Sequence, residues 1–196
     1  MAENKVQFGL KNVYYALLTE GATNTWTTPV AVPGAVNLTL SQNGESTDFY
    51  ADNVTYYKTI VNNGYTGSLE IARVPDEMLI DIFGLEQDTT SKVLFEKTGV
   101  EPAPFALLFE IDGDADQECY CFYRCIANRP DIEGATDTNS KEVKTATLEI
   151  SCLPLVTGTA NQQGLIKART TADTPAATKT AWFTSVTVPG TNSNDN

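Results

Sequence analysis

The segment formed by residues 104–127 constrains the fold most strongly, because it predicts two antiparallel strands joined by a tight turn. Apolar, β-prone residues fill positions 105–111 and again positions 120–126. Asp112 and Gly113 follow the first run, and an Asp-Gly pair in this position is typical of a hairpin turn. The return strand is apolar on both faces. Such a strand must be covered on both sides, by its own fold or by a neighbouring subunit.

Other segments predict further strands, each with one polar face. Residues 36–41, 65–73 and 145–155 alternate apolar and polar side chains with a period of two. This alternation indicates half-buried antiparallel strands. Residues 5–20 begin with the same alternation and are also predicted to be a strand. We therefore expect a mainly β, antiparallel fold of the sandwich or barrel type.

One segment has helical instead of strand periodicity. Met78, Leu79, Ile82 and Phe83 follow the i, i+3, i+4 spacing of a helix with one buried stripe. Pro75 and two acidic residues come before this set, and Gly84 comes after it; these are start and stop signals of a helix. The sequence predicts a single short helix over residues 75–83, flanking the sheet.

The composition changes after Pro154, which suggests a division of the chain. Residues 1–156 are expected to form the β domain. Residues 157–196 are expected to form a Thr/Ala-rich C-terminal arm, with a short strand near residues 164–169 and a late strand over residues 181–188. The arm is a candidate for contacts between subunits, because a late strand would need a partner.

Residues 43–63 form a long polar and aromatic segment between two Asn-Gly pairs, which favour tight turns. Loops of this length inside a domain are usually functional or disordered, and the aromatic content argues against disorder. We predict a protruding hairpin that needs a partner surface. The alternative is a loop folded back over its own domain.

The residues needed for common enzyme chemistry are missing. The chain has no histidine, the commonest general base, and it lacks the nucleophile-elbow and phosphate-loop patterns. Carboxylate pairs occur, but their spacing singles none of them out. We expect no enzymatic activity and no cofactor.

The four cysteines are expected to be buried thiols. Their spacing does not match a zinc ribbon, and the chain has no histidine to complete a mixed set of ligands. Free cysteine packs as a small hydrophobe. Strict alternation would place four odd-numbered residues of the return strand on one face, namely Cys119, Cys121, Tyr123 and Cys125.

The acidic turn at residues 112–118 begins like a calcium-binding EF-hand loop and then departs from the pattern. Gln117 stands where the loop requires glycine, and Tyr123 stands where it requires glutamate. The turn is also expected to lie between strands, whereas an EF-hand loop lies between helices. We expect an acidic hairpin tip and no metal, with calcium binding as the alternative.

The net charge limits the classes of partner. With 13 basic and 25 acidic residues, the formal net charge is −12, and such a surface repels phosphate backbones. No apolar run reaches the ~20 residues that span a bilayer. The first residues also lack the layout of a signal peptide. We expect synthesis in a cytoplasm, without membrane association.

Several stretches, taken together and in order, resemble the major tail proteins of siphophages that infect Gram-positive bacteria. They occur between residues 11 and 155, and the resemblance is weak beyond Leu155. The stretches are residues 11–16, 48–53, 63–70, 75–84, 105–110, 122–125 and 128–130.

The resemblance implies a structural subunit of the tail tube. Six such subunits form a ring, and the rings stack into a tube through which DNA leaves the capsid without specific binding. It implies assembly in the host cytoplasm, a final location in the virion tail, and contacts with the tape measure, terminator and distal tail proteins.

Two sets of residues follow as candidate sites. An acidic lumen would repel phosphate and let DNA slide through the tube. Polar residues of the strands are therefore candidates to line the lumen; the alternative is that they face bulk solvent. These candidates are Asn37, Thr39, Ser68, Glu70, Thr147 and Glu149. The aromatic residues of the long hairpin are candidates to contact the adjacent ring: Phe49, Tyr50, Tyr56 and Tyr57.

Other functions stay open at this point. The main alternative is a monomeric β-sandwich binding module, such as a virion decoration or adhesin domain. A second is the inner tube protein of a contractile injection system, and an unrecognised hydrolase is a third.

Overall fold

Nine strands form the main sheet of the protein, of which a computed structural model describes residues 4–44, 46–51, 53–113, 115–132, 134, 136 and 143–190. Within these ranges, the backbone alone is described at residues 46, 47, 49, 51, 55 and 60. The elements in chain order are β1 (Gln7–Thr19), β2 (Thr25–Trp26), β3 (Val30–Ala31), β4 (Ala35–Gln42), β5 (Ser46–Ala51), β6 (Val54–Ile60), β7 (Tyr65–Ile71), α1 (Asp76–Phe83), β8 (Glu86–Gln87), β9 (Leu94–Phe95), β10 (Phe105–Gly113), β11 (Glu118–Ala127), β12 (Ala146–Cys152), β13 (Lys167–Arg169) and α2 (Ala176–Ala181).

The main sheet is antiparallel throughout, and the expected fold class is confirmed. Its strand order is β2-β1-β10-β11-β12-β7-β4, with β3 beside β1 and β13 beside β11. The hairpin predicted from residues 104–127 is the β10–β11 pair at its centre. The tight turn expected at Asp112 and Gly113 is wrong, because Gly113 pairs with Gln7 of β1 and extends β10, and the β10–β11 ladder ends at Ile111 and Glu118. β4 ends this order, and β1 lies next to the two-residue strand β2 at the other end; β1 and β4 approach each other without forming a ladder in the described chain. The sheet therefore curls towards a barrel that stays open between β1 and β4.

Strands β10 and β11 are buried on both faces and separate two apolar cores. Phe105, Leu107 and Phe109 of β10 lie in the first core, between the curled strands and α1. Ala106 and Leu108 alternate with them and lie in the second core, on the opposite face. Alternate side chains of one strand thus fill two cores, which explains why this sequence is apolar at consecutive positions.

A β-bulge interrupts β11. Leu107 pairs with Phe122, whereas Phe105 pairs with Cys125, so β11 contains one residue more than β10 across this interval. The extra residue reverses the alternation: Cys121 lies in the second core and Cys125 in the first. The expectation that Cys125 shares a face with Cys121 is therefore wrong.

Helix α1 forms where it was expected, to within one residue. Pro75 precedes it, two acidic residues occupy its first turn, and Gly84 ends it with a positive φ of 68°. The N–H of Gly84 donates to the carbonyl oxygen of Ile80, which closes the last turn. Met78, Ile82 and Phe83 place the apolar stripe of the helix in the first core.

The late strand expected over residues 181–188 is wrong, and so is the expectation of a single helix. Pro175 precedes α2, which ends at Ala181, and residues 182–184 form a turn. Proline favours the start of a helix, and alanine has the highest helix propensity. The short strand expected near residues 164–169 is present as β13, which pairs with β11.

Neither helix in the described chain has the length and apolarity of a membrane-spanning segment.

Candidate assembly surfaces

The open face of strands β4, β7 and β12 carries three cross-strand rows of polar side chains. The register aligns Asn37 with Glu70 and Thr147 in one row, and Thr39 with Ser68 and Glu149 in the next. In the third row, Thr66 lies between Ser41 and Ser151. We call this surface the polar face; its members are Asn37, Thr39, Ser41, Thr66, Ser68, Glu70, Thr147, Glu149 and Ser151. All six predicted lumen residues thus lie together on one surface.

Burial on the other side fixes the direction of the polar face. Leu69 and Leu148 are fully buried and Leu38 packs against them, each between polar neighbours along its strand. Because side chains alternate across a strand, the polar residues must point away from the first core. The register also brings β4 close to β7 at Gly67, where an added Cβ would overlap the backbone carbonyl of Thr39.

The polar face is acidic. Two of its nine members, Glu70 and Glu149, are carboxylates, and none is basic. The hydroxyl of Thr145 donates to Glu70 over 2.6 Å at the end of the sheet. A surface of small hydroxyl groups with scattered carboxylates offers no cation to a phosphate group.

The segment between β4 and β7 is a hairpin in which β5 pairs with β6 and with no other strand among the described residues. Tyr50, Tyr56 and Tyr57 are 63%, 75% and 63% exposed, so these tyrosines do not pack on the body of the subunit. Lys58 and Asp48 form an ion pair across the ribbon at 3.4 Å. The side chain of Phe49 lies outside the described part of the protein. We call β5 and β6 together the tyrosine hairpin.

An aromatic groove of about 530 Å³ opens between β1 and β4. Its apolar lining is formed by Leu10, Leu38, Leu40, Phe109, Tyr120 and Phe122. Phe109 lies between the other two rings, with centroids 5.2 Å from Tyr120 and 6.1 Å from Phe122. Phe8 lies at the rim and is 71% exposed. Sequence patterns did not reveal this groove, because it arises where two distant strands fail to pair.

The C-terminal arm covers the second face of β10 and β11. β13 extends the sheet beside β11, and Trp182 inserts into the second core with 4% of its surface exposed. The indole N–H of Trp182 donates to the carbonyl of Tyr120 at 3.2 Å, and the hydroxyl of Tyr123 donates to the carbonyl of Thr187 at 2.7 Å. The apolar face of β11 could be covered by its own chain or by a neighbouring subunit. In this structure its own chain covers it, because the arm packs on the same subunit.

The acidic turn between β10 and β11 is held by basic and amide side chains. Lys11 pairs with Asp112, and Lys179 of α2 pairs with Asp116. The side chain of Asn4 accepts from the backbone N–H of Asp116 at 2.7 Å and donates to its carbonyl at 2.8 Å. The hydrogen bond from Lys179 holds the pKa of Asp116 below its usual value. Asp114 lies outside the described residues.

Metal-ligating residues do not converge in the described chain, where no three of them come together. All four cysteines are buried free thiols. Burial raises the pKa of Cys119 to about 11, with a smaller contribution from Glu110, and burial also raises that of Cys121. The Sγ atoms of Cys125 and Cys152 are 3.1 Å apart. All four thiols are therefore inaccessible, and the raised pKa values of Cys119 and Cys121 keep those two protonated, unlike reactive cysteines.

No family model matches this chain, and no curated protein matches it.

Proposed function

We propose that the protein is a structural subunit of a phage tail tube, in which six copies form a ring and stacked rings conduct DNA. The observation that carries this proposal is the polar face. Three adjacent strands present nine small polar or acidic side chains in register, on the one side of the sheet that the core leaves open. The resemblance of residues 11–155 to major tail proteins supports the same function.

The chemistry of the polar face suits a DNA channel. In a ring, each copy would add the carboxylates of Glu70 and Glu149 to the lumen wall, and the hydroxyl groups would keep it hydrated. Proteins that hold DNA use Lys and Arg to neutralise phosphates, and a wall without them does not. DNA would therefore slide through the channel without binding to it. Assembly in the host cytoplasm, location in the virion, and contacts with tape measure, terminator and distal tail proteins belong to this proposal.

The different packing of the C-terminal arm and the tyrosine hairpin also supports a subunit that assembles with other copies. The arm covers the second face of β11 in the same copy, so the subunit can fold before it assembles. The tyrosine hairpin, in contrast, leaves three tyrosines exposed. We propose that this hairpin contacts the adjacent ring, and that the protein acts by assembly and not by catalysis.

Electron microscopy of the purified protein over a range of concentrations tests the proposal. We expect rings or tubes with a uniform central bore. Lysine substitutions at Glu70 and Glu149 should leave the rings intact and create DNA binding in the bore, seen as retention of short duplexes that weakens as salt is raised. Particles that stay monomeric at the highest concentration would refute a tube subunit.

A monomeric decoration or adhesin module is the second candidate, and the intramolecular cover of β11 is the observation that favours it. Such a module would stay monomeric and would bind a preformed virion or a cell surface. The inner tube of a contractile system would give the same rings as a siphophage tube, and a sheath protein encoded nearby would identify it.

A further inference from the structure

We infer that the aromatic groove of one copy receives the tyrosine hairpin of a second copy. This inference rests on the proposed function only for the assembly that the contact would build, namely the tube. The contact itself stands on three features of the subunit: the shape of the hairpin, its distance from its own groove, and the chemistry of the two surfaces.

The shape of the hairpin matches a slot with two walls. Tyr56 and Tyr57 are consecutive in β6, so their side chains leave opposite faces of the ribbon. Both are mostly exposed. The groove has β1 along one side and β4 along the other, with the rings of Phe109 and Phe122 at its floor. A flat surface would bury one face of this ribbon, whereas a slot buries both.

The hairpin cannot fill its own groove. It leaves the body of the subunit after β4 and returns at the start of β7, and Leu40 and Tyr65 at these points already line the groove. The strands of the hairpin have 6 and 7 residues, which corresponds to a ribbon about 20 Å long. Its tyrosines therefore lie well away from the groove at its base, and a second copy is the partner that can supply them.

The two surfaces complement each other chemically. Tyrosine has an apolar body and a hydroxyl group that needs a partner when buried. The groove pairs an aromatic floor with the polar lining residues Gln7 and Lys167. Lys167 is the charged residue among the described residues that line the groove, and its charge is positive. The sequence of the hairpin contains two aspartates and one lysine, so its formal charge is negative. A volume of about 530 Å³ lies within the range of roughly 300–1,000 Å³ that pockets use to enclose drug-sized groups.

The geometry of the contact determines what it builds. Donor and acceptor are different surfaces of the same chain, so each copy that receives a hairpin still offers its own. Contacts of this head-to-tail kind close into rings or continue as open stacks, unlike the closed pair that a two-fold contact gives. The stacked rings proposed above need such a contact along the tube axis.

Two variants separate the donor from the acceptor. Gly9 lines the groove, and a Cβ built there meets no atom within 4 Å, so Gly9→Trp adds a bulky side chain at the wall of the groove without a backbone clash. Gly134→Trp is its matched control, because Gly134 is equally open and lies outside the groove. The donor variant combines Tyr50→Ser, Tyr56→Ser and Tyr57→Ser, all at exposed positions. Circular dichroism checks that each variant is folded.

Sedimentation velocity then measures assembly of each variant alone and of the two mixed. We expect Gly9→Trp and the donor variant each to raise the concentration needed for assembly by about tenfold or more, as loss of aromatic hot spots does. Gly134→Trp should assemble like the wild type. The mixture should join one copy, or one ring, of each variant into a pair and form nothing longer, because one partner supplies the hairpin and the other the groove.

The outcomes distinguish this inference from the proposed function. Tubes formed equally well by the wild type and Gly9→Trp would overturn the groove as acceptor and leave the tube proposal standing. One-to-one pairs in the mixture, together with wild-type chains that never form tubes, would support the contact and refute the tube. A monomeric wild type whose groove holds a small apolar molecule, detected by native mass spectrometry and lost in Gly9→Trp, would overturn the contact in favour of a ligand site.

Discussion

Replacing Trp182 with alanine should destabilise the whole subunit, although this residue follows the last helix of the arm. Its side chain is 96% buried against the second face of β10 and β11. A buried tryptophan hides about 200 Å², which at ~25 cal/mol per Å² corresponds to about 5 kcal/mol as an upper value. Measured Trp→Ala losses are about 3–5 kcal/mol. We expect a loss in the same range, because the surrounding strands cannot collapse into the space.

Urea unfolding followed by fluorescence measures this loss. The chain has two tryptophans, so Trp26 remains as the reporter in Trp182→Ala. Trp26 contacts the ring of Tyr123 in the same core, with centroids 5.8 Å apart. A second variant, Trp182→Phe, retains most of the apolar area and removes the N–H that donates to Tyr120. It should lose about 1 kcal/mol.

The matched control is Tyr56→Ala on the tyrosine hairpin, which should change the free energy of unfolding by less than about 0.5 kcal/mol, since that side chain is 75% exposed. A loss below about 1 kcal/mol for Trp182→Ala, at an unchanged dependence on urea, would refute the packing of the arm on β11. A loss as large for Tyr56→Ala would refute the separation between a packed arm and a free hairpin.

Three further predictions concern the sheet, the thiols and the acidic turn. Gly67→Val should lower the free energy of unfolding by at least about 2 kcal/mol in urea titrations, because a side chain there would overlap the carbonyl of Thr39; Gly134→Val, at an open position, should be neutral. The four thiols should not react with a disulfide reagent at pH 8 until guanidinium unfolds the chain, because Cys119 has a pKa near 11 and all four are buried; rapid labelling of the folded protein would contradict this. The hydrogen bond from Lys179 lowers the pKa of Asp116 in the folded chain, so its stabilisation is present above the unfolded value of about 3.9 and is lost as the pH falls through the lowered pKa. Asp116→Asn should therefore lose less stability than the wild type between about pH 5 and pH 3 in urea titrations, and equal losses would show that the ion pair does not hold the arm.

Features that depend on neighbouring residues could be predicted from the sequence. Helix α1 follows from Pro75, its acidic first turn and Gly84, signals that act within one or two turns. The polar face follows from alternation, because one residue such as Leu69 in the core fixes the direction of its neighbours. The pairing of β10 with β11 could also be predicted, but the place of its turn could not, because Gly113 pairs with Gln7 of β1 and so belongs to β10.

Features that depend on distant contacts could not be predicted. The sequence predicts a strand over residues 181–188, but Trp182 is buried against strands some sixty residues earlier in the chain, and it reaches them from a turn that follows the short helix α2. The aromatic groove depends on how far the sheet curls between β1 and β4, which alternation does not determine. In each case tertiary packing overrode the local pattern.

The bulge in β11 makes the position of a deletion in this strand as important as its length. Loops of this chain can gain or lose residues at small cost, since the entropy of closing a loop changes slowly with its length. Deleting one residue between Phe122 and Cys125 would remove the bulge and leave Cys125 and Ala127 facing the first core, because the spacing of β11 would then match that of β10. A deletion elsewhere in β11 would turn the residues after it over to the opposite face. Divergent copies of this protein should therefore vary in the loops, and a gap within β11 should fall at the bulge.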